Sequence, residues 1–235
     1  VITVATWNVL HRVHADNWAS DIVGQWPDEA ARIEAVTAAV AARTERVIAL
    51  MEVSGDQLAS LRKALPAREF HVLDYPRVPR PRRLPNVLDA RTEHLVIIVD
   101  GSARQIAAES FADAFDPGKG ALAIDLDGLL IVATHVSGDE RRAAQLVRLR
   151  QLTASGPAIL LGDFNIDRAT LAAGLGEEYV VAEFPPDSIP TRPRDSGSKS
   201  QFIDHVVGRG VPVRDLTVED VAGTSDHNLV RAIAG

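Results

Sequence analysis

No cysteine occurs among the 235 residues, which excludes disulfide staples and thiolate metal sites and leaves only oxygen and imidazole to hold any metal. Long apolar runs are missing too. No stretch approaches the ~20 residues of a membrane span, and Val1–Leu10 lacks the charged-then-apolar layout of a signal peptide. Basic charge is in deficit: 25 Lys and Arg stand against 32 Asp and Glu, a formal net charge of -7 with a pI near 5.5. The molecule as a whole therefore does not attract polyanions as a generic nucleic-acid binder would. The expectation is a soluble, cytoplasmic protein that acts as a monomer.

What is present fits one α/β domain over residues 1–235, long enough to bury a sizeable core, with no linker dividing it. Arg77, Arg80, Arg82 and Arg83 alternate with Pro76, Pro79, Pro81 and Pro85. This lone basic cluster reads either as a phosphate-contacting loop or as a solvated polyproline-type loop.

Along the chain, Val1–Asn8 is β-rich, and a helix follows from Glu29, with Asp28 as N-cap and Ile33, Val36 and Val40 at helical spacing. Val47–Val53 is a short apolar run carrying Glu52 at its end, the pattern of a strand buried on both faces. Ser54-Gly-Asp-Gln then reads as a capping box opening a second helix. The same grammar returns at Leu129–His135, where Ser137-Gly-Asp-Glu is expected to open a helix carrying Leu146, Val147, Leu149 and Leu152. The echo hints at two similar halves, each with a polar side chain at a strand end before a helix N-terminus, where amides favour anions. His94–Val99, Gln105–Ala108 and Ala121–Leu126 read as antiparallel strands, and Ala158–Leu161 as a buried strand running into Gly162-Asp163-Phe164-Asn165. Pro185–Ser200 reads as a surface loop, Phe202–Val207 as a strand, and Ser225-Asp226-His227 leads into a last apolar run, Asn228–Ile233. Asp100, Asp116, Asp125 and Asp127 read as turn residues, and His11, His14 and His71 as surface or loop histidines, with His11 and Arg12 near enough to Asn8 to line a cleft.

Acidic and imidazole groups at the ends of buried strands are costly unless they bind a metal, pair, or face a wet cleft. Glu52, Asp163 and Asp226, with amide oxygens from Asn8 and Asn165, suit Mg²⁺ or Mn²⁺. Zinc is disfavoured, because the histidines lack the close helical spacing of a dedicated zinc site.

The ordered set Thr6-Trp7-Asn8, Met51-Glu52-Val53, Thr134-His135, Gly162-Asp163-Phe164-Asn165, Ile203-Asp204-His205 and Ser225-Asp226-His227 resembles the endonuclease/exonuclease/phosphatase superfamily across the whole chain. That resemblance implies a four-layer α/β/β/α sandwich of two mainly antiparallel sheets flanked by helices, with a deoxyribonuclease I-like fold. It implies a divalent-metal-dependent phosphodiesterase, a nuclease by preference, with metal-assisted in-line attack of water. On the matching positions, Glu52 would be the principal metal ligand with Asn8 beside it, and Asp226 would hold a second metal. Asp163 would align and deprotonate the water, Asn165 would orient it, and His135 would donate to a phosphate oxygen. His227, oriented by Asp204, would contact the scissile phosphate. Glu93 resembles the carboxylate that supports His135 in the deoxyribonuclease branch, and Arg192, in Pro190-Thr191-Arg192, a substrate-side arginine that grips phosphate.

The pattern departs at Met51, where most relatives have glutamine, and at a central tyrosine for which Tyr75 is the nearest candidate and a core or loop aromatic the alternative. A small-molecule or lipid-headgroup phosphoesterase, and a catalytically silent binding protein on the same fold, remain the competing readings.

Overall fold

A computed structural model describes residues 1–82, 87–111, 118–194 and 201–235. Arg83, Pro85, Asp116 and the end of the Pro185–Ser200 loop lie outside the described residues. The first of two six-stranded sheets contains β1 (Ile2–Asn8), β2 (Val47–Ser54), β3 (Glu69–Asp74), β4 (Glu93–Val99), β11 (Val213–Glu219) and β12 (Leu229–Ala234), in the order β11-β12-β1-β2-β4-β3. The second contains β5 (Arg104–Ser110), β6 (Gly120–Leu126), β7 (Leu129–His135), β8 (Ala158–Asp163), β9 (Tyr179–Val181) and β10 (Asp204–Arg209), in the order β5-β6-β7-β8-β10-β9. Read in these orders, the two share one plan. A single parallel pair, β1 with β2 or β7 with β8, sits at the centre, and the other described pairings are antiparallel.

Side-chain alternation assigns three apolar layers. Val47, Ala49 and Met51 of β2 meet Ile131, Ala133, Ile159 and Leu161 between the sheets. Ile48 and Leu50 point the other way, under α3 (Glu29–Ala41) and α4 (Gly55–Ala64), with Val36, Val40, Leu58 and Leu61. Val132 and Leu160 lie under α5 (Arg142–Leu152) and α6 (Arg168–Leu175), with Leu146, Leu149 and Leu171. The result is the expected α/β/β/α sandwich. No described helix is long and apolar enough to cross a membrane.

The local signals resolve unevenly. Asp28 caps α3 by accepting from the amides of Ala30 and Ala31 at 3.0 and 3.3 Å. Ser54 Oγ accepts from Gln57 N at 3.1 Å, but the Gln57 side chain turns away to Thr37 Oγ1 (2.8 Å) and stitches α4 to α3. The second expected box does not form. Ser137 is bonded in both directions to the Gln145 amide, at 2.8 and 2.9 Å, and α5 begins only at Arg142, with Arg141 rather than Ser137 at the N-cap position. Asp127 and Gly128, both at positive φ, make the two-residue turn from β6 to β7, and Asp125 Oδ1 accepts from Gly128 N, as their reading as turn residues requires.

The same alternation locates the polar end of the sandwich. Continuing the inward rows Val4-Thr6, Ile131-Ala133 and Ile159-Leu161 by one step reaches Asn8, His135 and Asp163, and the inward residue before Val206 is Asp204. His135 is paired in register with Asp163, and Asp163 with Asp204. The inter-sheet core thus ends in a row of polar side chains.

Candidate active site

Glu52 reaches this row by breaking the strand rule. Regular alternation would send it outward with Ile48 and Leu50 and bring Val53 inward, yet Val53 lies in the outer layer. The β2–β4 register shifts between Leu50 and Val53, and Glu52 has φ 57°. Glu52 is the extra residue of a β-bulge, held in a backbone region that ordinary side chains avoid, an arrangement that recurs where a strand must re-aim a functional group. Its carboxylate accepts from Asn8 Nδ2 at 3.0 Å and from the His11 amide at 3.1 Å. On the opposite sheet the backbone is shaped by Gly162, where a Cβ would lie 1.9 Å from the Thr134 carbonyl oxygen. Asn165, at φ 56°, closes a turn in which its amide donates to Asp163 Oδ1 at 2.9 Å.

Glu52, Glu93, His135, Asp163, Asn165, Arg192, Asp226 and His227 all line one cavity of about 430 Å³. Asn8 and Asp204 stand behind them, fully buried. Asn8 Nδ2 also donates to Asp163 Oδ2 (3.1 Å) while its Oδ1 accepts from Leu10 N, so the side chain ties the two carboxylates together and turns its oxygen away from them. His227 Nδ1 lies 2.9 and 3.1 Å from the two oxygens of Asp204, and its Nε2 is 3.7 Å from Asp163. The loop bearing it is clamped to β1: Trp7 Nε1 donates to the His227 carbonyl (2.9 Å) and Ser225 Oγ to the Asn8 carbonyl (2.7 Å). Arg32, from α3, supports both sides at once, donating to the carbonyls of Val9, Leu10 and Thr224 at 2.8 to 2.9 Å while Glu29 neutralises it.

Burial opposes every charge here, and partners decide which survive. For His227 the carboxylates of Asp204, Asp163 and Asp226 outweigh burial and lift it to about 9. Burial would raise Asp163, but His227, His135 and Lys119 hold it far below the ordinary aspartate range. Burial would likewise raise Glu52, but His14, His135 and Lys119, with the Asn8 bond, hold it far below the glutamate range. Burial, reinforced by the charge of Asp163, raises Asp204. Buried His205, by contrast, falls to about 4 and donates to the Ile166 carbonyl, a structural role.

The donor set fits a hard divalent cation. Asp226 Oδ1 and Glu93 Oε1 are buried with no hydrogen-bond partner among the described residues, and carboxylate oxygens predominate. The tightest group, Asp163, Asp204 and His227, has its ligand atoms within 4.8 Å of one another, but its contacts are those of ion pairs around a charged imidazole.

The sequence model of the Endonuclease/Exonuclease/phosphatase family matches residues 5–227. The chain belongs to that family. In fold it is similar to a humanized TDP2 of D. rerio, at 14% identity and TM-score 0.69, covering 100% of this chain and 98% of that one. The D. rerio TDP2 complexed with a single strand DNA product gives 15% identity and TM-score 0.69 with the same coverage, 100% and 98%. An endonuclease/exonuclease/phosphatase from Bacteroides vulgatus gives 17% identity and TM-score 0.67, again covering 100% and 98%. No curated protein matches the chain in sequence.

Within this family member three expectations change. Glu93 lines the cavity, but its carboxylate bonds to His14 Nε2 at 3.1 Å rather than to His135, because β4 belongs to the first sheet and faces α1 (Arg12–Asn17) across the end of β2. His135 instead meets Lys119 Nζ at 2.9 Å and Asp163 at 3.3 Å. His11 and His71 are buried, not surface residues; His11 caps α1 by accepting from Val13 N, and His71 pairs with Glu69 at 2.9 Å. Arg192 is already engaged, by Asp226 at 2.9 Å. Met51 is wholly enclosed between the sheets and takes the Thr6 hydroxyl at 3.8 Å, and Tyr75 packs in the same core. The cavity also includes Lys119 and Trp18, which the sequence did not assign to it, and His14, expected at the surface or in a loop, which lies on α1 instead. Lys119 had a signal: it lies between two glycines and precedes Gly120, the register partner of His135.

Proposed function

We propose that the protein is a divalent-metal-dependent phosphodiesterase acting on nucleic acid. The observation that carries this reading is the meeting, in one cavity, of carboxylates held strongly acidic (Glu52, Asp163) with an imidazole lifted to about 9 (His227). Such a site binds a cation on one side and an anionic phosphoryl group on the other. Glu52 and Asp226 are the residues to hold Mg²⁺ or Mn²⁺, and half a turn of the Asn8 amide would add a third oxygen donor. The metal, when bound, supplies charge to the phosphoryl oxygens and acidifies water.

Asp163 aligns the attacking water and takes its proton as the new P–O bond forms, while the ester P–O bond opposite breaks and the departing alkoxide takes a proton from solvent water. The backbone amide of Asn165 fixes the Asp163 carboxylate, and its side chain orients the water or a phosphoryl oxygen. His227, steadied by Asp204, offers Nε2–H to the phosphate, where charge grows. His135 and Lys119 donate to a second phosphoryl oxygen once Lys119 Nζ turns from His135 Nε2 to the substrate, and Arg192 shares itself between Asp226 and substrate. A nucleic-acid substrate is supported by the fold shared with a D. rerio TDP2 complexed with a single strand DNA product.

The test is hydrolysis of bis-p-nitrophenyl phosphate and p-nitrophenyl phosphate by metal-stripped protein after Mg²⁺ or Mn²⁺ is added back, with Glu52→Ala as control. Metal-dependent cleavage of the diester that Glu52→Ala destroys is the expected result, followed by cleavage of DNA or RNA. Preference for the monoester would overturn it. The net charge of -7 favours a second reading, a compact small-molecule phosphoester. A salt titration separates the two, since nucleic-acid binding weakens steeply with salt and a compact substrate's does not.

A further inference from the structure

Of the three tryptophans, Trp7 is fully buried and Trp26 is half-buried with its Nε1 bonded to the Gly223 carbonyl at 2.9 Å. Trp18 is 76% exposed, and it lines the rim of the catalytic cavity. Among the described residues its indole makes no ring or cation contact. A large apolar ring left in water beside a polar cleft is a mark of a ligand surface.

The ring sits on a built support. Leu10, Ala15 and Ile22 pack beneath the turn that carries it. Arg12 fastens α1 to Glu29 (3.1 Å) and to the Trp26 carbonyl (2.8 Å), and Ala19 at φ 52° turns the chain sharply just after Trp18. The preceding residue, Asn17, is bonded to the basic loop: its Nδ2 donates to the Arg80 carbonyl at 3.0 Å, and its Oδ1 accepts from Arg82 N at 2.7 Å. Arg80 and Arg82 are exposed. Catalytic cavity, aromatic face and arginine-rich loop are therefore contiguous, and a volume of about 430 Å³ suits a whole ligand rather than one phosphate.

We infer that Trp18 is a stacking platform for a nucleobase of single-stranded nucleic acid next to the scissile phosphate, with Arg80 and Arg82 receiving the phosphates beyond it. A base in a duplex has no free face to offer, whereas an unpaired base stacks on indole irrespective of its identity. This rests on the nuclease reading above and adds the strand form of the substrate and the surface that grips it.

The test uses intrinsic tryptophan fluorescence in a metal-free buffer, where binding proceeds without cleavage, with a short oligothymidylate and an abasic oligomer of equal length. The base-bearing strand should quench the emission and bind about tenfold more tightly than the abasic one. Trp18→Ala should erase both the quench and the difference, and Trp18→Phe should restore the difference in affinity. Reversing Arg80 and Arg82 to Glu should flatten the salt dependence of binding. Equal affinity of Trp18→Ala and the parent for the base-bearing strand would overturn the platform while leaving the nuclease reading intact. Failure of the parent to bind or cut any nucleic acid, with bis-p-nitrophenyl phosphate still hydrolysed, would remove the nuclease reading and this inference with it.

Discussion

The central strand pairs of the two sheets are built alike and end differently. In the first sheet β1 and β2 run parallel and deliver Asn8 and Glu52; in the second β7 and β8 run parallel and deliver His135 and Asp163. The second pair keeps its register to its last residue and relies on a glycine, Gly162 at φ 149°, for close approach. The first pair is bulged, and Glu52 is held at φ 57°. Equivalent positions in a repeated plan have thus been made inequivalent by a bulge that shifts register on one side and by a glycine that admits close approach on the other. The distorted side holds the acid assigned to the metal, and the regular side the acid assigned to water.

The largest effect should come from separating those two roles. Asp163→Asn should lower turnover by about 10³-fold at any metal concentration. Glu52→Gln should raise the metal concentration needed for half-activity by about a hundredfold or more, and activity followed along a Mg²⁺ titration tells the two apart; identical responses would erase the distinction between the sides. Next in size is Gly162→Ala, whose Cβ would meet the Thr134 carbonyl at 1.9 Å. It should cost about 4 kcal/mol or more in denaturant unfolding, with no counterpart on the first sheet, where Met51 precedes Glu52.

The site also has two imidazole–carboxylate pairs, His14–Glu93 within the first half and His227–Asp204 joining the two, and both histidines are lifted to about 9. In each, burial lowers the histidine, and carboxylates, first Glu93 for His14 and first Asp204 for His227, raise it further. A folded-state value above the unfolded ~6.5 means that the charged form is favoured by folding. This stabilisation is complete below about pH 6.5 and is lost as pH rises through about 9. Urea melts of metal-free protein from pH 6 to pH 10 should show that loss. Glu93→Gln and Asp204→Asn should each remove a part of it. A pH-independent midpoint in the parent would refute both pairs.

The smallest effects distinguish the two serine echoes. Ser137→Ala strands the buried Gln145 amide and should cost about 2 kcal/mol. Ser54→Ala removes only a helix cap, about 1 kcal/mol. Thermal unfolding of the two variants would show whether the repeat is one of sequence alone.

Much of this was legible in the chain because alternation carries through to the strand ends. Val4-Thr6-Asn8 and Ile159-Leu161-Asp163 announce both the inter-sheet core and the polar row that ends it, and the turn at Asp127-Gly128 follows from its residue types. The strands left unread, β3, β9 and β11, are all sheet edges, where one-sided burial weakens the apolar signal. α1 and α2 (Asp21–Gln25) are too short, at 6 and 5 residues, for periodicity to speak, and with them the places of His14 and Trp18 in the cavity went unread. Which histidine Glu93 would meet was a tertiary question: β4 sets the carboxylate beside α1, a helix that no pattern had revealed.

The clamp between β1 and the loop of His227 also bears on how the molecule comes into being. β1 lies between β2 and β12, and Trp7 is bonded to a carbonyl 220 positions away. Closing so long a span is entropically costly before any contact rewards it. A chain that has arranged everything except its last strand leaves β1 open along one side and holds Glu52 and Asp163 without His227. Adding β12 to the sheet therefore also brings in His227, the last member of the proposed catalytic group.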